Sequence, residues 1–289
     1  MDYMDREGNR IANVTGQDKY LYALYATVPG RAVMKLLAAP VVSGIVGKFM
    51  DSWMSTFMIS SFVRKNGIRL SDYERKKYRS FNEFFTRRIK PEKRPIDQEQ
   101  THLIAPCDSL VTVYPIDLHT RIKIKHSVYT VGSLLQNDRL AAAFTGGYCV
   151  VCRLSVDNYH RYCYIDNAVK GRNHFIPGVL HTVNPAVLEH IKIYKENSRE
   201  YCVMDTANFG RVVQMEVGAM LVGRIRNNHQ VAVVRRGQEK GCFDYGGSTV
   251  VLLFQRDQLA IDDDILKNSA QGIETKIHMG EKIGKAMFS

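Results

Sequence analysis

The stretch "CFDYGGSTVVLLF", residues 242–254, decides the fold of this chain. A wholly apolar, largely β-branched run follows two glycines and two hydroxyl residues, which predicts a strand buried on both faces and entered through a backbone kink. Ser248 is then the residue at which that strand begins. Because Gly246 and Gly247 tolerate positive φ, the same residues also suit a hairpin turn in which Ser248 makes only a local hydrogen bond. Taken alone, the stretch leaves both interpretations open.

The rest of the chain divides into two parts around residue 98. Before it, "DKYLYALYATV", "DSWMSTFMISSFVRKNG" and "SDYERKKYRSFNEFFTRRI" have helical spacing, and Ser71 with Glu74 matches a capping box. The charged segment "KPEKRPIDQEQ" reads as a linker. Beyond it the apolar period becomes two, which predicts strands within residues 109–116, 121–131, 148–156, 211–225, 230–236 and 248–254. We therefore predict an α+β fold, with a helical region and linker at residues 1–98 and a β-rich, mostly antiparallel domain at residues 99–289.

The composition favours a folded protein with an anionic partner. The chain has 289 residues and 45% hydrophobic content, enough for a sizeable core. Forty Lys plus Arg against 29 Asp plus Glu leave a net charge of +11, which suits a lipid headgroup surface, a nucleic acid or an acidic substrate. No zinc-finger or helix-turn-helix pattern is found, and no basic run is interleaved with stacking aromatics. A nucleic-acid partner is therefore disfavoured.

The six cysteines are too sparse for a disulfide scaffold in a chain of this length. They predict reduced, mostly buried thiols and a cytosolic setting. "CVVC" has the spacing of a metal or redox pair, but a strand would place Cys149 and Cys152 on opposite faces. We predict no metal site there.

Residues 28–50, "VPGRAVMKLLAAPVVSGIVGKFM", combine apolar residues with Arg31, Lys35 and Lys48. The longest uncharged stretch, residues 36–47, contains Pro40 and is shorter than the 20 or so residues that a membrane span needs. The segment suits either the membrane interface, with its cations toward anionic headgroups, or a buried helix pair broken at Pro40. The acidic opening "MDYMDREGNR" predicts neither a secretory signal nor a mitochondrial presequence.

Reactive side chains are concentrated in three β-region stretches besides that of Ser248. They are "LIAPCDSL" with Asp108, "SVDNYHRYCYID" with Asp157, His160 and Cys163, and "GVLHTVNP" with His181. An aspartate, a histidine and a serine can form a nucleophile-activating set, although such combinations arise by chance in most chains. A serine hydrolase is disfavoured, because the serine lies in "GGSTV" before a strand and not in a G-x-S-x-G elbow before a helix.

Another chemistry fits a serine after two glycines. If Ser248 attacks the carbonyl of Gly247, the amide becomes an ester, and elimination of that ester leaves an N-terminal pyruvoyl group. Such a group is an electrophilic ketone that forms a Schiff base with an amine and accepts the electrons freed when carbon dioxide leaves.

The sequence resembles the pyruvoyl-dependent phosphatidylserine decarboxylases. "FDYGGSTVVLLF" is similar to their self-cleavage motif, and the resemblance continues in "SFNEFFTRRIKPEKRPID", "APCDS", "IKIKHSVYTVGSLL", "VDNYHRYCYIDN", "GVLHTVNP", "ENSRE" and "VGAMLVGRI". These motifs follow the family's order from about residue 81 to residue 254, and "RRGQEKGCFDYGGST" is the most specific.

The resemblance implies roles for individual residues. Gly247 and Ser248 match the scissile pair, giving a β chain of residues 1–247 and an α chain of residues 248–289 that begins with pyruvoyl in place of Ser248. Asp108 matches the aspartate of the processing triad, and His160 the first histidine of an H-x-x-H pair. This chain has Cys163 at the second position, so the base is either His160 or one of Cys163, His181 and water. We expect His160, because one imidazole beside Asp108 suffices for proton removal.

The implied activity is conversion of phosphatidylserine to phosphatidylethanolamine by a self-processed enzyme that uses its own pyruvoyl group and no metal. Its partners would be phosphatidylserine in the membrane and, for the β chain, the α chain; a homodimer is one assembly open to it. We expect a peripheral protein on the cytoplasmic face of a membrane, the cell membrane in a bacterium. Two alternatives are a pyruvoyl decarboxylase of another amino acid or serine lipid, and a non-catalytic membrane-binding homologue, which Cys163 favours.

Overall fold

The computed structural model describes residues 3–11, 40–75, 77–124, 127–180, 195–218, 224–245 and 248–287. Six α-helices lie in these ranges: α1 (Pro40–Asp51), α2 (Phe57–Lys65), α3 (Phe81–Phe85), α4 (Val131–Leu135), α5 (Asp138–Ala142) and α6 (Asp263–Ala270). Short 3₁₀ helices cover Trp53–Thr56, Leu70–Asp72 and Pro91–Lys93. None of the helices in these ranges has the length and hydropathy needed to cross a bilayer.

The same ranges contain 21 strands. In chain order they are β1 (Tyr3–Met4), β2 (Arg10–Ile11), β3 (His102–Ile104), β4 (Ser109–Pro115), β5 (Ile122–Ile124), β6 (Ser127–Tyr129), β7 (Tyr148–Leu154), β8 (Arg161–Cys163), β9 (Ala168–Lys170), β10 (His174–Ile176), β11 (Val179–Leu180), β12 (Lys195–Glu196), β13 (Arg199–Thr206), β14 (Arg211–Val217), β15 (Ile225–Asn227), β16 (Ala232–Val234), β17 (Glu239–Phe243), β18 (Ser248–Phe254), β19 (Leu259–Ile261), β20 (Glu274–Ile277) and β21 (Lys282–Ala286).

One large sheet organises the fold. Its order is β16-β9-β13-β14-β18-β7-β4-β20-β1-β2, with β10 added beside β13, and every pair except β1 with β20 is antiparallel. The smaller sheets are β15-β17-β8, β19-β21-β3, and the pairs β11-β12 and β5-β6. Helices are few outside the N-terminal part of the chain. The predicted α+β class, with a β-rich and mostly antiparallel main body, is confirmed.

Strand β18 lies in the interior of the large sheet because its side chains are apolar on both faces. All seven of its residues are buried, as predicted from the run "STVVLLF". Val250 and Leu252 belong to one core cluster, and Val251 and Leu253 belong to the cluster on the opposite face. The first face packs against residues of β8 and β17, and the second against residues of β5, β6 and α4.

The CxxC pair behaves as predicted for a strand. Cys149 and Cys152 lie in β7 and belong to the core clusters on opposite faces of the sheet. Both thiols are fully buried and free.

The N-terminal helices form a separate small core. α1 begins at Pro40, where the fixed φ of proline suits the first helical position; residues 28–39 lie outside the described ranges. Met50, Phe81, Phe84 and Phe85 are the buried members of this helical core.

The capping box predicted at Ser71 and Glu74 is wrong. Ser71 lies in a 3₁₀ turn, and Tyr73 forms an isolated antiparallel bridge with Ile89 that folds the segment back. Among the described residues of 71–89, the one α-helix is α3, whose cap is Ser80. The physical reason is that residues 74–80, "ERKKYRS", offer one apolar ring to bury, whereas α3 buries three phenylalanines.

Candidate active site

Four adjacent strands of the large sheet present the candidate residues at one end. β18 begins at Ser248, whose partner on β7 is Leu154, the last residue of that strand. β4 begins directly after Asp108 and is antiparallel to β7. β20 ends at Ile277, which is paired with Ser109. Since neighbouring strands lie about 4.8 Å apart, Asp108 and Ser248 are roughly two strand spacings from each other.

Ser248 is deeply buried, with 1% of its surface exposed. Side chains alternate along a strand, so Ser248 points to the same face as Val250 and Leu252. That face packs against Tyr162 and Phe243 of the neighbouring small sheet. Gly247, the other half of the predicted scissile pair, lies outside the described residues.

Asp108 is a buried carboxylate held by a bidentate arginine. Arg94 donates from Nε to Oδ1 at 2.6 Å and from Nη2 to Oδ2 at 2.5 Å. The backbone N–H of Met279 donates to Oδ1 at 2.9 Å, and Nδ1 of His278 lies 3.9 Å from the same oxygen. Burial alone would raise the pKa of Asp108, but the Arg94 guanidinium foremost, with the nearby His278 ring and the N–H of Met279, holds it well below its usual range. The carboxylate therefore stays ionised at any cellular pH.

His160 is a buried, neutral imidazole. Its Nδ1 lies 2.8 Å from the backbone oxygen of Asn158, and because a carbonyl can only accept, Nδ1 carries the proton. Burial lowers the pKa of His160 to about 3, although the Asn158 carbonyl and the charge of Asp108 act in the opposite direction. Nε2 therefore holds the lone pair, and it has no hydrogen-bond partner within the described part of the chain. A buried imidazole with one free lone pair is equipped to accept a proton.

Asn158 connects these two groups. Its side-chain Nδ2 donates to the backbone oxygen of Asp108 at 3.2 Å, while its own backbone oxygen accepts from His160. The two predicted residues are thus brought together through one asparagine in the turn between β7 and β8.

Aromatic rings of the helical region cover this end of the sheet. The ring of Phe85 lies 4.0 Å from that of His160 and 5.2 Å from that of Tyr245, and Phe81 lies 5.1 Å from Tyr245. The N–H of Tyr245 donates to Oδ1 of Asn82 at 3.2 Å. Tyr245 is therefore fixed against α3, and its ring and that of His160 both pack against the ring of Phe85.

Comparison with known sequences identifies the family. The family model described as Phosphatidylserine decarboxylase matches residues 81–285. The chain is 47% identical over 271 residues to the phosphatidylserine decarboxylase proenzyme 2 of Clostridium acetobutylicum, covering 93% of this chain and 92% of the relative. The chain belongs to the phosphatidylserine decarboxylase family. Two further relatives are phosphatidylserine decarboxylase proenzymes: that of Clostridium botulinum is 37% identical, with 94% of each chain covered, and that of Clostridium tetani is 39% identical, covering 86% of this chain and 85% of the relative.

In this member of the phosphatidylserine decarboxylase family, Cys163 is one of the candidates for the base in self-cleavage, so its surroundings matter. Cys163 is 1% exposed and belongs to the same core cluster as Val250 and Leu252. Its sulfur lies 4.0 Å from the backbone oxygen of Ala105. Burial raises the pKa of Cys163 to about 12, so it is a protonated thiol at neutral pH. His181, the other accessory candidate, lies outside the described residues. Among the described candidates, His160 is the group with an available lone pair.

Sequence reasoning missed three residues that hold Asp108 in place. Arg94 lies in the segment interpreted as a linker, yet its guanidinium is paired with Asp108. His278 comes directly after β20 and reaches the site only through the register of β20 with β4. Asn158 lies two residues before His160, where no periodic pattern singles it out. For Arg94 and Asn158 a signal existed, because both lie within stretches that carry the family resemblance.

A second ion pair fixes the strand that leads into Ser248. Asp244 follows β17 and is 3% exposed, and Nη2 of Arg226 on β15 donates to its Oδ2 at 2.9 Å. Burial raises the pKa of Asp244 in spite of this guanidinium. The pair ties the end of β17 to β15 four residues before Ser248.

Proposed function

We propose that this protein cleaves its own chain between Gly247 and Ser248, carries a pyruvoyl group at the new N-terminus, and converts phosphatidylserine to phosphatidylethanolamine and carbon dioxide. The observation that supports this most strongly is the position of Ser248. It is buried at the start of a central strand, at the same end of the sheet as Asp108, and three residues after Tyr245, whose ring packs against the same Phe85 as that of His160.

In this proposal Ser248 Oγ attacks the carbonyl carbon of Gly247 while Nε2 of His160 takes the hydroxyl proton. The C–N bond of the peptide breaks as the ester C–O bond forms, and the proton passes to the departing amine. Loss of the Cα proton of residue 248 then breaks the Cβ–O bond and releases the β chain as a Gly247 carboxylate. The Cα=Cβ double bond left by this elimination takes a proton at Cβ and becomes an imine, and water adds to that imine, expels ammonia and leaves the ketone. Gly247 suits this role because it has no side chain to obstruct the attack.

The surroundings of Ser248 fit a pyruvoyl group. Its neighbours Val250 and Leu252 on the same face are fully buried, so little water can compete for a reactive ketone there. Such a group supplies an electrophilic carbonyl for the substrate amine and accepts the electrons left when carbon dioxide departs. His160 holds its proton at Nδ1, so its Nε2 can take a proton from the substrate ammonium and pass that proton to the product carbon.

The two products of cleavage should stay together. The α chain begins with β18, which is paired with β7 of the β chain over its whole length and with β14 from Thr249 to Phe254. β20 adds a further pairing with β4. The self-cleaved enzyme is thus a stable pair of chains, the β chain 1–247 and the α chain 248–289.

The helical region carries an exposed apolar surface that suits a membrane. Four large side chains there are 55–78% exposed, and we call them the apolar tip: Ile45, Trp53, Met54 and Phe57. Exposed apolar side chains of this size, one of them a tryptophan, suit insertion into the headgroup region of a bilayer. We assign residues 1–98 to membrane association and residues 99–289 to catalysis, with the protein peripheral on the cytoplasmic face.

A pair of serine substitutions tests the proposed function. Ser248→Ala should abolish cleavage, seen as one band in denaturing electrophoresis, together with release of labelled carbon dioxide from carboxyl-labelled phosphatidylserine. Ser109→Ala is the matched control, because Ser109 is equally buried at the start of β4, two strands from β18. An active but uncleaved Ser248→Ala protein would overturn the proposal. Cleaved protein that decarboxylates another amine and not phosphatidylserine would overturn the substrate assignment.

A further inference from the structure

A cleft lined by cations lies just before α3. It is formed by Arg75, Lys77, Tyr78 and Arg79 and encloses about 390 Å³. The side chain of Arg75 is 62% exposed, and Lys77 and Arg79 are exposed as well. We call this site the basic cleft.

Two side chains, those of Glu83 and Tyr78, hold the backbone of the basic cleft. Glu83 of α3 accepts the N–H of Arg79 at 2.5 Å and forms an ion pair with Arg75. The hydroxyl of Tyr78 donates to the backbone oxygen of Arg75 at 2.7 Å and closes the turn. Among the described residues that line the cleft, Glu83 neutralises one of three cations, so the site keeps an excess of positive charge.

One hydrogen bond links the segment of the basic cleft to the segment of the apolar tip. The N–H of Phe81, two residues after Arg79, donates to the hydroxyl of Ser55 at 2.8 Å. Ser55 lies in the 3₁₀ helix Trp53–Thr56, which supplies two of the four residues of the tip. Tyr78 packs its ring 5.4 Å from that of Phe84 in the same small core. The 3₁₀ helix that carries Trp53 and Met54 is thus hydrogen-bonded to the start of α3, two residues after the cleft residue Arg79.

We infer that the basic cleft binds the phosphate of an anionic glycerophospholipid that neighbours the apolar tip in the bilayer. This lipid is a second one, separate from the substrate at Ser248. A bilayer is the partner that satisfies both features, because it offers an apolar layer to Trp53 and Phe57 at a depth just below its phosphates. The inference rests on the membrane association in the proposed function and adds a defined site to it.

Sedimentation with vesicles of phosphatidylcholine, with and without phosphatidylglycerol, tests the inference. Phosphatidylglycerol supplies the anionic phosphate and has no carboxylate to lose. Each cation near an anionic surface contributes about 1 kcal/mol, so Lys77→Gln with Arg79→Gln should weaken binding to the phosphatidylglycerol vesicles about 30-fold. Binding to phosphatidylcholine alone should change little, because it depends on the apolar tip.

Arg211→Gln with Arg256→Gln is the matched control. It removes the same charge at the opposite end of the large sheet, where β14 begins and β18 has ended. β18 spans about 20 Å, well beyond the Debye length, so this control should lose less than about 3-fold in binding. Lys77→Arg with Arg79→Lys keeps the charge and should bind as the wild type does, which separates loss of the site from loss of folding.

Wild-type affinity of the Lys77→Gln and Arg79→Gln double variant for the anionic vesicles would overturn the inference. So would equal losses in this variant and in the Arg211 and Arg256 control, which would mean general charge attraction. The proposed function is tested apart from this, by wild-type decarboxylation of phosphatidylserine in detergent micelles. An enzyme inactive in micelles refutes the reaction and leaves the vesicle result to decide the cleft.

Discussion

The buried imidazole of His160 should make the folded protein less stable as the pH falls from 7 to 5. Its pKa in the folded state is about 3, against an ordinary value of 6.5. Between these two values the unfolded chain binds a proton at His160 and the folded chain does not. Stability contributed by the neutral imidazole is therefore present above pH 6.5 and is lost as the pH falls below it.

The size of this effect follows from the two pKa values. Between pH 7 and pH 5 the free energy of unfolding should decrease by about 2 kcal/mol through His160 alone. Asp108 adds nothing in this window, because its pKa is lowered and its contribution is lost only in more acidic solution. The groups that act on His160 are Arg87, which lowers its pKa, and Asp108 with the Asn158 carbonyl, which raise it.

Urea unfolding of two uncleaved precursors measures the effect. We would compare Ser248→Ala with Ser248→Ala plus His160→Asn, since the asparagine amide can still donate to the Asn158 carbonyl and does not titrate. The first precursor should lose about 2 kcal/mol more than the second on going from pH 7 to pH 5. Equal losses in the two precursors would refute a buried, neutral His160.

Three further changes have expected outcomes. Cys163→Ala should leave the rate of self-cleavage unchanged, measured by electrophoresis over time, because the thiol is a buried, protonated part of the core; loss of cleavage would make Cys163 the base. Arg94→Met should lower the free energy of unfolding by about 3 to 5 kcal/mol in urea and slow cleavage, because it leaves the Asp108 carboxylate buried without its charged partner; a change below 1 kcal/mol would contradict that reading. Trp53→Ser with Phe57→Ser should reduce sedimentation with vesicles at an unchanged melting temperature, since both side chains are exposed; unchanged sedimentation would remove the apolar tip from membrane binding.

The strands that hold the site were predictable because their patterns are local. β18 and β7 are short apolar runs bounded by turn residues, and such runs form buried strands wherever the chain places them. The structure around α3 was not predictable. Its sequence has helical spacing over residues 71–89, but the bridge between Tyr73 and Ile89 prevents one continuous helix. That bridge depends on tertiary packing, to which a single sequence gives no access.

The candidate site divides in the same way. Ser248, Asp108 and His160 could be selected from motifs, whose residues are close together in the chain. The partners of Asp108 could not be selected from motifs. Met279, for example, lies 171 residues away and contacts Asp108 only because β20 pairs with β4 in this register. Arg94 is closer in the chain, but its charged surroundings gave it the pattern of a solvated linker. Sequence motifs thus identified the groups proposed to react, and the fold was needed to find the groups that hold them.

The mass spectrum of the purified, denatured protein tests the central claim most directly. The account predicts two chains, residues 1–247 and residues 248–289, the smaller lighter than its serine form by about the mass of ammonia and blocked to N-terminal sequencing. A single species at the full 32.9 kDa would contradict it. That result would mean that the fold and motifs of the phosphatidylserine decarboxylases are present here without the self-cleavage proposed at Ser248.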